Sequence, residues 1–215
     1  MATIKPFRGV RYNPEKIPDL SAVVSQPHDR VRHGLKDRYY AQSPYNIARL
    51  IKGKEYPDDN EQDNVYTRAL RDYQTWLQAG VLLREDAPAL YVLRQTFTLP
   101  DGSSRTRQAL IAALQLMPLD EGTILPHERT IAKSMTGRIN LLHATAVNFG
   151  CVFTLYPGGG INELLDPTIE ERPPLEMREL FENEVLQQLW AITDPEVVAA
   201  VVSEMAPRRH LIIAD

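Results

Sequence analysis

From residue 65 to 79 the apolar side chains Tyr66, Ala69, Leu70, Tyr73, Trp76 and Leu77 recur every three or four positions, a spacing that predicts one face of an amphipathic helix. Asp63 stands where its N-cap belongs, and Gly80 where a left-handed residue ends it. Residues 89–99 and 107–116 flank Pro100-Asp101-Gly102-Ser103, which predicts a β-hairpin about a Pro-Asp-Gly turn. Further on, Met177, Leu180, Phe181, Val185, Leu189 and Trp190 outline a second helix. Asp194-Pro195 supplies an N-cap followed by proline at the first helical position. It opens a third helix with Val198, Val201, Val202 and Met205 on one face.

The remaining segments are shorter. Residues 4–10 and 22–25 read as strands separated by the Pro14 and Pro18 loop, residues 31–42 as a helix stopped by Ser43-Pro44, and residues 46–51 as a strand. Residues 56–64 form an acidic loop, and residues 117–133, broken by Pro118, Gly122 and Pro126, a long polar loop. Residues 138–146 suit a short helix. Residues 151–156 suit a buried strand closed by Pro157 and three glycines, which read as a flexible linker, and residues 210–214 a last strand. Strands and helices alternate without a strict βαβ rhythm, so the predicted class is α+β, with a mainly antiparallel sheet and helices packed on it.

The 215-residue chain is 43% hydrophobic and 24% charged, a composition that supports a packed core and excludes disorder. Its one cysteine, Cys151, rules out an internal disulfide framework and points to a reducing compartment; in an apolar strand it reads as a small hydrophobe. No stretch has the length of a signal peptide's apolar run or of a membrane span, and a cytoplasmic protein without a membrane partner is expected. The net charge of −4 is unevenly spread: residues 1–54 are net +7, 55–64 net −5, 65–160 net +2 and 161–215 net −8. A basic first quarter suits an anionic ligand such as a phosphorylated metabolite. Its cations alternate with Asp and Pro rather than forming a block, so nucleic acid is not an expected partner.

The chemistry concentrates at Leu125-Pro126-His127-Glu128-Arg129-Thr130, followed by Lys133, Arg138 and His143. A carboxylate there can accept a proton from an attacking hydroxyl, while Arg and Lys offset charge on a transferring phosphoryl group. The same residues also suit helix capping, with Thr130 or Ser134 as the cap and Glu128 facing the helix dipole. A metal site at His127 and Glu128 is disfavoured, because adjacent residues rarely aim at one ion and no H-E-x-x-H pattern is present. The loop Gln26-Pro27-His28-Asp29-Arg30 carries both charge signs and reads either as a site loop or as an exposed turn. Gly158-Gly159-Gly160 lacks the spacing of a phosphate-binding loop.

Taken together and in order, residues 4–12 (I-K-P-F-R-G-V-R-Y), Ser43-Pro44-Tyr45-Asn46-Ile47, Pro126-His127-Glu128-Arg129-Thr130 and residues 138–149 resemble the Domain of Unknown Function 1015 family. Members of that family continue into a motif close to I-A-D-G-H-H-R, of which Ile213-Ala214-Asp215 looks like the beginning. The resemblance therefore implies an N-terminal family region over residues 1–120 and, over 121–215, the start of a region truncated at its C-terminus. A P-H-E-x-T segment paired with D-G-H-H-R is similar to free-serine kinases of the ParB/sulfiredoxin-like fold. That similarity implies a ParB/sulfiredoxin-like element in the C-terminal part and Glu128 as general base. It places His127, Arg129, Thr130, Arg138 and Asp215 around a small-molecule substrate or nucleotide, ADP or ATP with Mg. The activity implied is phosphorylation of serine or a similar hydroxylated metabolite, and the alternative is a non-catalytic nucleotide- or metabolite-binding regulatory module. Two positions depart from the family: Gln26-Pro27-His28-Asp29-Arg30-Val31 stands where P-P-Y-D-V-I is usual, and Gly137 where an Asp usually precedes Arg138.

Overall fold

The computed structural model describes residues 2–32, 34–127, 132–181 and 185–214. In chain order these form β1 (Ile4–Lys5), β2 (Val10–Tyr12), a 3-10 turn (Leu20–Ala22), α1 (Leu35–Gln42), α2 (Ala48–Ile51), α3 (Val65–Gln78), β3 (Leu82–Arg84), β4 (Leu90–Thr98), β5 (Ser104–Ile111) and β6 (Ala113–Leu114). A second 3-10 turn (Leu119–Glu121) leads to β7 (Ile124–Pro126), α4 (Ala132–Thr145), β8 (Thr154–Leu155), α5 (Ile161–Glu170), β9 (Leu175–Arg178), β10 (Leu186–Ile192), α6 (Pro195–Met205) and β11 (Leu211–Ile213). The architecture is mixed α+β, and its pairings are antiparallel except between β7 and β11.

The central sheet runs β5-β4-β10-β9. The predicted hairpin forms its β4–β5 half, in register from Tyr91 opposite Ile111 to Thr98 opposite Ser104. β10 covers the other edge of β4 along seven positions, from Leu186 opposite Thr96 to Ile192 opposite Leu90. Residues 175–178 and 186–192 are thus two strands, not parts of the helix that the three- and four-residue spacing from Met177 to Trp190 predicts. The edge of β4 offers a full row of backbone partners, and Trp190 and Ile192, two apart on β10, bury on the same face. α5 and α6 pack on the sheet, joining Leu90, Val92, Trp190 and Ile192 in the main core with Leu165, Ile169, Val201 and Met205.

A second core gathers Leu20, Val23, Leu50, Tyr73, Trp76 and Val81, with Met177 of β9 against it. α3 behaves as its pattern predicts, except that Asn64, not Asp63, caps it: its side chain accepts from the amides of Tyr66 and Thr67, while the Thr67 hydroxyl accepts from the Asn64 amide. Residues 22–25 form no strand, because their carbonyls are used otherwise. The fully buried Asn46 amide donates to Ala22 O and Val24 O at 3.1 and 2.9 Å, and Ile47 N donates to Val23 O. Asn46 also accepts from Ala48 N at 3.0 Å, which starts the one-turn helix α2 where a strand is predicted over 46–51.

Five other expectations change. The strand over 4–10 divides into β1 and β2, joined by a bridge between Phe7 and Ala89. The loop over 117–133 contains β7 and the first residues of α4, and α4 is longer than the helix predicted over 138–146. Within 151–156 only Thr154 and Leu155 form strand; Cys151 is exposed, and Val152 and Leu155 face solvent. The glycines at 158–160 lead directly into α5 and are held by Arg208, whose guanidinium donates to Pro157 O and Gly159 O.

Candidate functional site

β7 and β11 run parallel with Ile213 opposite Pro126. His127 and Ala214, the next residues, therefore leave the two strands at the same carboxyl end. The described starts of the two segments that carry the predicted chemistry, Pro126-His127 and Ile213-Ala214, are brought side by side by this register although some eighty-five residues separate them. Carboxyl ends of parallel strands are where ligands of α/β sheets gather, since backbone and helix termini converge there. Glu128, Arg129, Thr130 and Asp215 lie outside the described residues, as does Thr130's capping role; the side chain of Ser134 does too.

Arg138 stands on α4 six residues beyond Ala132, about 9 Å along the helix axis. Gly137, beside it, faces α3: a Cβ there would lie 3.8 Å from the Tyr66 hydroxyl. Arg138 Nη2 approaches His28 Nδ1 at 3.1 Å. A guanidinium only donates, so Nδ1 is the acceptor and the ring proton sits on Nε2. Burial, then Arg138, then Lys52 push the His28 imidazole below its ordinary value, against a smaller upward pull from Asp29, whose carboxylate is 4.0 Å from Nδ1. His28 is accordingly neutral at physiological pH.

The loop bearing His28 is fixed two residues upstream. Gln26 N donates to the Tyr39 hydroxyl at 3.0 Å, Gln26 Nε2 to Glu179 Oε2 at 2.9 Å, and the Tyr39 hydroxyl to Glu179 Oε1 at 2.6 Å. Glu179 also accepts from Phe181 N, and all three side chains of this network are buried. A carboxylate taken out of water needs such partners. In this loop Gln26 thus supplies an amide donor to Glu179, and His28 an imidazole that meets Arg138. Ser43-Pro44-Tyr45-Asn46, by contrast, builds the second core and contributes no group to this site.

Sequence reasoning singled out His28 only as part of a loop and missed Lys52, Tyr39 and Glu179. Nothing in their local sequence marks them; the contacts that bring Glu179 to Gln26 span 153 positions. Two clefts are also present. One of about 460 Å³, at the amino ends of β7 and β11, is bounded by Glu121, Thr123, Arg209 and His210, the last with a left-handed φ of 64°. Another of about 230 Å³ lies between Arg11, Glu85, Arg172 and Trp190. Neither includes a residue of the 126–130 segment or Arg138. Among the described residues no cluster of His, Cys, Asp and Glu is arranged to hold a metal ion, and no helix is long and apolar enough to cross a membrane.

The family model for proteins of unknown function DUF1015 matches residues 4–215. The chain belongs to this family. The match spans both strands of the β7–β11 pair and every segment on which the resemblance rested. No curated protein and no solved structure matches the chain.

Proposed function

We propose that this family member is a small-molecule phosphotransferase acting on serine or a similar hydroxylated metabolite, with its site at the carboxyl ends of β7 and β11. The observation that carries this reading is the parallel register that seats His127 next to Ala214, since the reading needs the 126–130 and 213–215 segments to act on one ligand. The ParB/sulfiredoxin-like character of the region from residue 121 onward belongs to the same proposal.

A nucleotide, ADP or ATP with Mg, fits the donor set: His127, Arg129, Thr130 and Arg138 offer cations, an imidazole and a hydroxyl to phosphate oxygens. It would supply the phosphoryl group. Mg ions are commonly held through phosphates plus one or two carboxylates rather than by a full protein cage, and Asp215 is the carboxylate nearest in sequence to Ala214. Glu128 takes the proton of the substrate hydroxyl as its oxygen bonds to phosphorus and the bond to the departing phosphate oxygen breaks. Arg138 and Arg129 offset the charge on the transferring group.

Incubating the protein with ADP or ATP, Mg and a panel of hydroxyl amino acids tests this, with phosphorylated product detected by mass spectrometry. Glu128→Gln should lower turnover by about 10²- to 10⁴-fold and leave nucleotide affinity nearly unchanged. Nucleotide binding without product from any substrate would overturn the kinase and leave a binding module of the same fold.

A further inference from the structure

We propose that the cleft of about 230 Å³ lined by Arg11, Glu85, Arg172 and Trp190 binds a small monocarboxylate with an apolar body. Two prolines create it. The β9–β10 ladder stops at Leu175 opposite Leu189, whereas β10 runs on to Ile192 against β4. Continued by one and two positions, that register brings Pro174 and Pro173 opposite Trp190 and Ala191, and neither proline has an N–H to give to β10. Among the described residues no strand covers this stretch of the β10 edge. A hydrogen bond of 2.9 Å from Trp190 Nε1 to Arg172 O fixes the chain just before the prolines, so the gap is built into the fold.

The lining joins an apolar surface to a small cluster of charges. Tyr91 stands opposite Ala191, and Leu175 opposite Leu189; these four share one face of the sheet, and with Trp190 and Pro173 they suit a ring or a branched chain. Arg11 is held by Glu85 through its Nε and donates to Tyr12 O through Nη1, which leaves Nη2 to a ligand. Arg172 is exposed beyond the end of α5, and its guanidinium fork matches the two oxygens of a carboxylate. Two arginines and one glutamate give the lining a net charge of +1. One carboxylate neutralises it, and a second negative charge would meet Glu85. The volume falls below the roughly 300–1,000 Å³ of pockets for drug-sized ligands, which restricts the occupant to the size of an amino acid or of the acid left when its amino group is removed.

This site shares no residue with the phosphotransferase reading and is tested by binding alone, so either can fail without the other. Hydrocinnamate and isocaproate are the probes, with their amides as neutral counterparts. Calorimetric titration of the whole chain should show saturable binding of an acid, and binding about tenfold or more weaker for its amide. Arg172→Gln, a change at an exposed side chain, should weaken binding of the acid about tenfold or more, and Arg172→Lys, which keeps the charge and loses the fork, should fall between. Ala191→Leu fills the cleft without altering its charges and should abolish binding; thermal midpoints check that each variant folds. The indole N–H resonance of Trp190 should move during the titration while that of Trp76, in the other core, stays. L-Phenylalanine or L-leucine bound at least as tightly as the matching acid, with the same dependence on Arg172, would assign the site to amino acids, and weaker binding would assign it to the deaminated acids. No saturable binding of any of these four by the wild type, an amide bound as well as its acid, or affinity unchanged in Arg172→Gln or in Ala191→Leu would overturn the proposal.

Discussion

At Gly9 a Cβ would stand 2.5 Å from the Tyr91 hydroxyl and 2.8 Å from its ring. The residue is a glycine because strand β2 enters the fold over that phenol, to which Gly9 N donates a hydrogen bond of 2.8 Å. Tyr91 is buried, stacks obliquely on Phe7 and is confined by the β4 ladder, so its ring has little room to retreat. Gly9→Ala should therefore destabilise the protein by about 1–3 kcal/mol, the usual cost of overpacking. Tyr91→Phe removes the hydroxyl and the closest contact, at the cost of about 1 kcal/mol for each hydrogen bond lost, the one accepted from Gly9 N and the longer one donated to Phe7 O. The double variant should be less destabilised than the sum of the two, a coupling that urea unfolding measures directly. Simple additivity would mean that the clash is absorbed elsewhere. The tight spot thus lies in the I-K-P-F-R-G-V-R-Y segment, on which part of the family resemblance rests.

At the scale of elements, the parts legible in the sequence are those whose signal is local. Asp194 caps α6 by accepting from Glu196 N and Val197 N at 2.9 and 3.3 Å, with Pro195 where its missing N–H is no loss. Asp194→Ala should cost about 1 kcal/mol, read as a lower midpoint in thermal unfolding, with Asp194→Asn restoring most of it. The α3 stripe and the β4–β5 hairpin are legible for the same reason: spacing, turn and cap agree within a few residues. Elements decided by distant partners are not. β10 needs the edge of β4, and α2 needs Asn46 buried under residues 22–24. α5 hides behind three glycines and carries Pro167 inside it, yet Ile161, Leu165 and Ile169 recur every four residues and all bury. In the candidate site the 126–130 and 213–215 segments were legible as motifs, and Arg138 with them. The partners that orient Arg138, His28 and through it the Glu179 network, were not, because they come together from residues 26, 39 and 179.

The whole molecule is organised by one sheet with a core on either side of its β9–β10 half. β9 sends Leu175 and Met177 to the core that contains Trp76, while β10 sends Trp190 and Ile192 to the core that contains α5 and α6. The two strands are hydrogen-bonded along four positions, Leu186 opposite Arg178 to Leu189 opposite Leu175. The N-terminal segment ties the same two cores, with Ala2 and Ile4 in one and Val10 and Tyr12 against the other. Residues 1–120 and 121–215 therefore share both the central sheet and the main core: β4 belongs to the first and its neighbour β10 to the second. Losing either core exposes the backbone of a strand that the other core needs, so the free energies of the two cannot be separated, and unfolding should be a single cooperative step. The chain's two tryptophans make this measurable, since Trp76 lies in one core and Trp190 in the other. In Trp76→Phe and Trp190→Phe each remaining indole reports its own core by fluorescence. Within each variant the fluorescence midpoint in urea should coincide with that of far-ultraviolet circular dichroism, and the two variants should show the same m-value. A fluorescence transition that precedes the loss of secondary structure in one variant, and follows it in the other, would show two independently folding halves joined only by the sheet.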